Sequence, residues 1–131
     1  MKGQCLCGNI EVEASDQTDL SVCHCTICRR WAGGPMFAVH CGAEVRFSGG
    51  TPSRYQSSDW AERGFCSHCG THLFYCLLPT GEYVLPAGLF QEQDFSFTSQ
   101  IFIDEKPACY DFSNKTNKLT GRQVFEQFAP K

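Results

Sequence analysis

Cys5-Leu6-Cys7-Gly8-Asn9-Ile10-Glu11-Val12-Glu13-Ala14 holds both features on which the rest of the chain depends. Its first residues set two thiols two positions apart, ahead of a glycine. In a tight turn that spacing lets both sulfurs approach one ion, and the glycine lets backbone fold around the site. From residue 8 the run alternates, with Ile10, Val12 and Ala14 on one face and Asn9, Glu11 and Glu13 on the other. That is the period of a half-buried strand.

Further short strands are predicted over 37–40, 44–47, 54–56, 62–65, 73–78, 83–85 and 100–103, after a turn-like segment at 14–19. Gly33-Gly34-Pro35, Gly49-Gly50-Thr51-Pro52 and Pro79-Thr80-Gly81 separate them. Many short strands between such breakers imply a mainly β, antiparallel fold. The length of 131 residues suits one domain spanning 1–131. Two helices are expected. Residues 26–31 would form a short turn, and Thr120-Gly121-Arg122-Gln123 resembles a capping box opening a C-terminal helix packed through Val124, Phe125 and Phe128.

Ten cysteines in 131 residues would allow five disulfides. The opening Met1-Lys2-Gly3-Gln4-Cys5 shows no basic region followed by an apolar run, and no stretch approaches 18 apolar residues. A soluble cytoplasmic chain is expected, with no membrane partner. In a reducing compartment, clustered thiols serve as metal ligands or catalytic groups more often than as cystines. Seventeen aromatic residues can build a core without cross-links, and a net charge of −3 weighs against nucleic acid as a partner.

Seven cysteines fall into three groups: Cys5-x-Cys7, Cys23-His24-Cys25-Thr26-Ile27-Cys28, and Cys66-Ser67-His68-Cys69. Soft thiolates in such knuckles suit zinc, and the usual ferredoxin spacings of an iron–sulfur protein are absent. Seven ligands divide into a closed site of four and an open site of three. Symmetry pairs Cys5 and Cys7 with Cys66 and Cys69, leaving Cys23, Cys25 and Cys28 for a second ion. A structural zinc takes four protein ligands, whereas a catalytic zinc keeps one position for water or substrate. Spacing alone leaves His24 and His68 open as a fourth ligand. Each lies between two ligands, where its side chain should point away, which favours the open site.

These residues resemble the glutathione-dependent formaldehyde-activating enzymes, whose domain is shared with centromere protein V. The likeness runs from Cys5-x-Cys7-Gly8 through Cys23-His24-Cys25-x-x-Cys28-Arg29-Arg30-Trp31 and Gly33-Gly34 to Phe65-Cys66-x-x-Cys69-Gly70-Thr71-x-Leu73-Phe74. The late Gln100-Ile101-Phe102-Ile103-x-x-Lys106 also matches, and coverage spans most of 3–112. The resemblance implies a tent-like, zinc-bound β fold and carbon–sulfur lyase activity that forms S-hydroxymethylglutathione from glutathione and formaldehyde. It also implies structural zinc at Cys5, Cys7, Cys66 and Cys69, and catalytic zinc at Cys23, Cys25 and Cys28. Gln100 stands where the family commonly has His, and Cys109-Tyr110 where it commonly has Trp.

An anionic thiol such as glutathione needs cationic partners, for which Arg29 and Arg30 are the nearest candidates, with Lys106 behind them. Ionising seven cysteines and adding two divalent ions takes the formal charge from −3 to −6, so capture needs a local basic pocket. Cys41, Cys76 and Cys109 are expected to be buried apolar residues. His40 and His72 are expected to be structural, Trp31 and Trp60 to pack, and Asp104-Glu105-Lys106 to form a solvated turn. The alternative readings are a non-catalytic zinc module that binds another protein, and a thiol redox sensor, which tight zinc ligation would oppose.

Overall fold

The computed structural model describes residues 1–128. In chain order these form β1 (Lys2–Gln4), β2 (Ile10–Ala14), β3 (Asp19–Cys23), α1 (Thr26–Ala32), β4 (Met36–Gly42), β5 (Val45–Gly49) and β6 (Ser53–Ser58). There follow β7 (Ala61–Phe65), β8 (His72–Leu77), β9 (Glu82–Pro86), β10 (Ser96–Ile101), β11 (Asn117–Leu119) and α2 (Gly121–Phe128). Single 3-10 turns lie at Ala87–Leu89 and Ile103–Glu105. The fold is mainly β with two helices, one of them C-terminal, as the breaker pattern implied.

The chain divides into two compact units, one made of Met1–Thr18 with Val39–Phe95, the other of Asp19–Ala38 with the described residues from Ser96 onward. In the first unit β2 lies between β1 and β5, antiparallel to both. Ile10, Val12 and Ala14 are buried and the intervening glutamates are exposed. β6, β7, β8 and β9 form an antiparallel meander. Its core is the fully buried Phe74, whose ring lies 5.2 Å from those of both Phe47 and Tyr83. Phe74 pairs across the ladder with Gly64, and a methyl group there would run into the ring. This close approach requires glycine in mid-strand.

In the second unit β3 pairs antiparallel with Met36–Ala38 of β4 and parallel with β10, which in turn pairs parallel with β11. The sheet is therefore mixed here and not antiparallel throughout. β3 itself escaped the pattern reading. Its alternation is only Leu20 and Val22, and the adjoining thiols mask it, although Val22 is wholly buried. β1 and β11 are three residues each, too short to carry a period.

The strand expected at 100–103 stops at Ile101, because Phe102 has φ 54° and turns the backbone into the 3-10 turn. The predicted capping box is present in both directions: the Thr120 amide donates to Gln123 Oε1 at 2.7 Å, and the Gln123 amide donates to Thr120 Oγ1 at 3.2 Å. Packing of α2 differs from expectation. Phe125 meets the Phe102 ring edge-on at 5.9 Å but is 57% exposed, Val124 is half-buried, and the Phe128 side chain lies outside the described residues.

Candidate metal centres

Cys5, Cys7, Cys66 and Cys69 come together in the first unit with all four sulfurs within 4.8 Å of one another. Two matched turns hold them. Gly8 and Gly70, at φ 77° and 78°, close each turn by donating their amides to the carbonyls of Cys5 and Cys66. A side chain would strain both positions. Thr71 ties the turns together: its oxygen accepts from the Leu6 amide at 3.0 Å and lies 3.1 Å from Cys69 Sγ. An ionised Cys69 sulfur can only accept, so towards the thiolate the Thr71 hydroxyl donates.

Sulfur–sulfur distances test the fit to a metal. Four sulfurs around one ion at about 2.3 Å lie about 3.8 Å apart at tetrahedral angles. Cys5 and Cys7 are 3.6 Å apart, and Cys7 and Cys66 are 3.8 Å apart. The donor set and its spacing therefore fit a tetrahedral ion. The Thr71 hydroxyl is the main influence holding the Cys69 thiol down to about 5, with amide donors adding to it. Burial pushes the Cys5 thiol up most strongly, but the Ile10 amide, donating at 3.3 Å, together with Cys7 and Cys66 outweighs it and leaves the thiol lowered.

In the second unit Cys23, Cys25 and Cys28 likewise bring three sulfurs within 4.8 Å. Cys23 ends β3, Cys25 is the N-cap of α1, and Cys28 is the buried residue of that helix. Cys25 Sγ accepts the Cys28 amide at 3.3 Å. Three sulfurs so close cannot all ionise without a cation. Cys25 ionises first, pushed down to about 2 by hydrogen bonds from Cys23 and Cys28 and by helix amides. Cys23 is pushed up by those same two neighbours and by burial. Both cysteine groups can thus hold a metal ion, the second with one position left over.

His24 does not close it. The ring is fully buried, with Nε2 2.8 Å from Gln100 Oε1 and Nδ1 2.8 Å from the Tyr110 hydroxyl. Gln100 Oε1 only accepts, so Nε2 carries the proton and Nδ1 accepts from Tyr110. Gln100 Nε2 continues the chain to Thr116 Oγ1 at 2.9 Å. Burial holds the imidazole below its ordinary range, in keeping with this neutral form. His68 is exposed. Arg29, Phe37, Cys109, Tyr110 and Phe112 are among the residues lining a cavity of about 520 Å³ in this unit. Arg29 Nε donates to the His24 carbonyl at 3.0 Å.

The model of the glutathione-dependent formaldehyde-activating enzymes matches residues 1–105, which include all seven clustered cysteines. The chain belongs to this family. A Schizosaccharomyces pombe protein described as an uncharacterized lyase is 38% identical over 129 residues, covering 95% of this chain and 94% of its own. A crystal structure of a Rhodobacter sphaeroides protein, 24% identical, shares the fold with a TM-score of 0.58, over 73% of this chain and all of that one. Family and relative agree with the expected lyase.

Within this chain the other candidates fall out unevenly. Arg30 is exposed on α1 and is not among the residues lining the cavity. Lys106 is engaged by Asp111 at 2.8 Å and by the Pro107 carbonyl at 3.0 Å. Cys41 and Cys76 are buried as expected, and burial raises both thiols, Cys41 to about 11. Cys109 is instead exposed, in the cavity lining. Trp60 is 47% exposed and not a packing residue. His72 Nε2 donates to the Phe74 carbonyl at 3.1 Å, as a structural histidine should, whereas His40 is exposed.

The 104–106 turn is tied down more firmly than a solvated turn. Asp104 accepts the Gly121 amide at 2.8 Å, and Glu105 accepts the Thr26 amide at 3.1 Å. Sequence reasoning missed the His24–Gln100–Tyr110–Thr116 chain altogether. Its one visible signal was the pair of departures from the family pattern, Gln100 and Tyr110. No described helix is long and apolar enough to cross a membrane.

Proposed function

We propose that the protein is a zinc-dependent carbon–sulfur lyase that joins a small thiol, glutathione or a related one, to formaldehyde or a related aldehyde. Zinc at Cys5, Cys7, Cys66 and Cys69 is structural in this reading, and zinc at Cys23, Cys25 and Cys28 is catalytic. The reading rests on the incomplete sulfur set of the second group, together with a neighbouring histidine whose two nitrogens are both bonded elsewhere. An open position is a liability in a purely structural module and a requirement for catalysis.

Zinc held by the three cysteines would supply a Lewis acid that favours thiolate over thiol at neutral pH. The chain's own residues do the rest. The substrate sulfur attacks the aldehyde carbon, a C–S bond forms, and the carbonyl π pair moves to oxygen, which takes up the proton the thiol gave up. No electrons are gained or lost overall. Arg29 has its Nε engaged by the His24 carbonyl, which fixes the guanidinium and leaves its Nη donors for a substrate carboxylate. Tyr110 gives its proton to His24, so its oxygen is left to accept from the hydroxyl that forms or breaks down during reaction. Holding the reactants in such a frame contributes through orientation.

Replacing Cys25 with Ser tests this. The expected result is loss of about one metal equivalent and of hydroxymethyl-thiol formation from carbon-13 formaldehyde, with the β fold retained. Unchanged turnover would remove the second group from the mechanism.

A further inference from the structure

The cavity beside Arg29 has a composition that bears on the identity of the thiol. Among the described residues its lining contains one cation, Arg29, no carboxylate and no lysine. Three aromatic rings, Phe37, Tyr110 and Phe112, form much of the wall, with Pro35 and Pro107. Phe112 fixes the wall. Its ring meets Phe37 edge-on at 5.8 Å, Phe97 at 5.1 Å and Tyr110 at 6.0 Å.

Glutathione fits this lining poorly. It brings two carboxylates and an ammonium group. A charge taken out of water without a partner costs more than the same charge left exposed. One guanidinium can pair one carboxylate. Among the described residues of the lining, the second carboxylate and the ammonium find nothing of opposite sign. Size does not decide the matter, since about 520 Å³ is ample for a tripeptide or for a smaller ring-bearing thiol.

We infer that this cavity selects a thiol with a flat, apolar or aromatic body and a single carboxylate, in preference to glutathione, with Arg29 reading the carboxylate and Phe37, Tyr110 and Phe112 the body. The inference rests on the lyase reading above and names a substrate class for it, the cavity adjoining the three-cysteine segment through Arg29 and Tyr110, both hydrogen-bonded to His24.

The test titrates the zinc-loaded protein with 4-(sulfanylmethyl)benzoate, with 4-methylbenzyl thiol, which lacks the carboxylate, and with glutathione. Binding is read by calorimetry, and adduct formation by NMR with carbon-13 formaldehyde. The benzoate should bind about tenfold tighter than either of the others, the difference one well-paired carboxylate makes. Arg29→Met should bring the benzoate to the level of the neutral thiol. Phe37→Ala, at a position 41% exposed, should weaken both aromatic thiols by similar factors without loss of fold.

Because Arg29 also holds the His24 carbonyl, metal content and melting are read alongside. Sulfur-free 4-ethylbenzoate supplies a further readout that needs no metal ligation, and it too should lose affinity in Arg29→Met. Glutathione binding as tightly as the benzoate, or a carboxylate preference that survives Arg29→Met, would overturn the inference. If the benzoate binds as expected and neither thiol forms an adduct, the cavity's preference stands and the lyase reading falls. If glutathione both binds best and reacts, the lyase reading stands and the inference falls.

Discussion

Cys7 and Cys66, which share one sulfur cluster, are 59 residues apart, whereas Cys23, Cys25 and Cys28 all lie within six consecutive residues. Closing the longer loop costs about 2 kcal/mol more in chain entropy than closing a loop of a few residues. An ion held by four thiolates there would offset that cost and pin β1 and β2 to the β7–β8 turn, so that ligation and folding of the first unit would be one event. In the second unit the strand end and the helix start already place the three sulfurs, and an ion there stabilises little that β3 and α1 lack. On the proposed reading, the first cluster would spend its whole coordination shell on structure and the second would keep one position for chemistry.

Cys66→Ser should produce the largest effect. It removes a ligand that closes the long loop, and we expect loss of cooperative unfolding along with about one metal equivalent. Cys25→Ser should lose as much metal and keep its unfolding transition. Equal losses of stability in the two variants, measured by denaturant unfolding, would break the contrast.

Gly64→Ala comes next and separates packing from ligation within the first unit. A methyl group under the buried Phe74 ring should cost about 2–3 kcal/mol with metal content unchanged. Loss of metal in step with stability would show that the meander and the sulfur cluster are not separable. Thr71→Val acts on the cluster without touching a ligand. It strips the acceptor from the Leu6 amide and the donor from Cys69, so the affinity of the four-cysteine site should fall about tenfold in a chelator competition, while the three-cysteine site keeps its own.

The smallest effect belongs to His72. Burial pushes its imidazole down to about 4, a shift that the Phe74 carbonyl opposes and Arg63 reinforces. Below about pH 6.5 the unfolded chain binds a proton that the folded ring refuses until about pH 4, so stability falls as pH drops through that window and levels off beneath it. His72→Gln should flatten this decline in unfolding measured from pH 7 to 4. An unchanged slope would place the acid sensitivity on the thiolates alone.

The sequence carried the ligand sets because a metal knuckle is a local feature: two cysteines, a turn and a glycine announce themselves wherever they fall. The strands with clear alternation, such as 10–14, were legible for the same reason. What stayed hidden depends on contacts distant along the chain. Parallel pairing of β10 with β3 and β11 leaves no period of its own, and β3 is a strand chiefly because β4 and β10 flank it. The His24–Gln100–Tyr110–Thr116 chain joins residues up to 92 positions apart through polar side chains that signal only turns or loops when read singly. Exposure of Cys109 and Trp60 likewise follows from where the second and first units place their loops, which composition cannot foretell.

The central claim is that one sulfur cluster is closed and the other open. Cobalt in place of the native metal reports this directly, since its ligand-field and sulfur-to-metal bands distinguish four thiolates from three. Two cobalt ions per chain are expected, one with the four-sulfur spectrum from the start. The other should acquire that spectrum only when a small thiol is added, with Cys25→Ser abolishing the change. Two four-sulfur spectra before any thiol is added, or none that responds to it, would contradict the account.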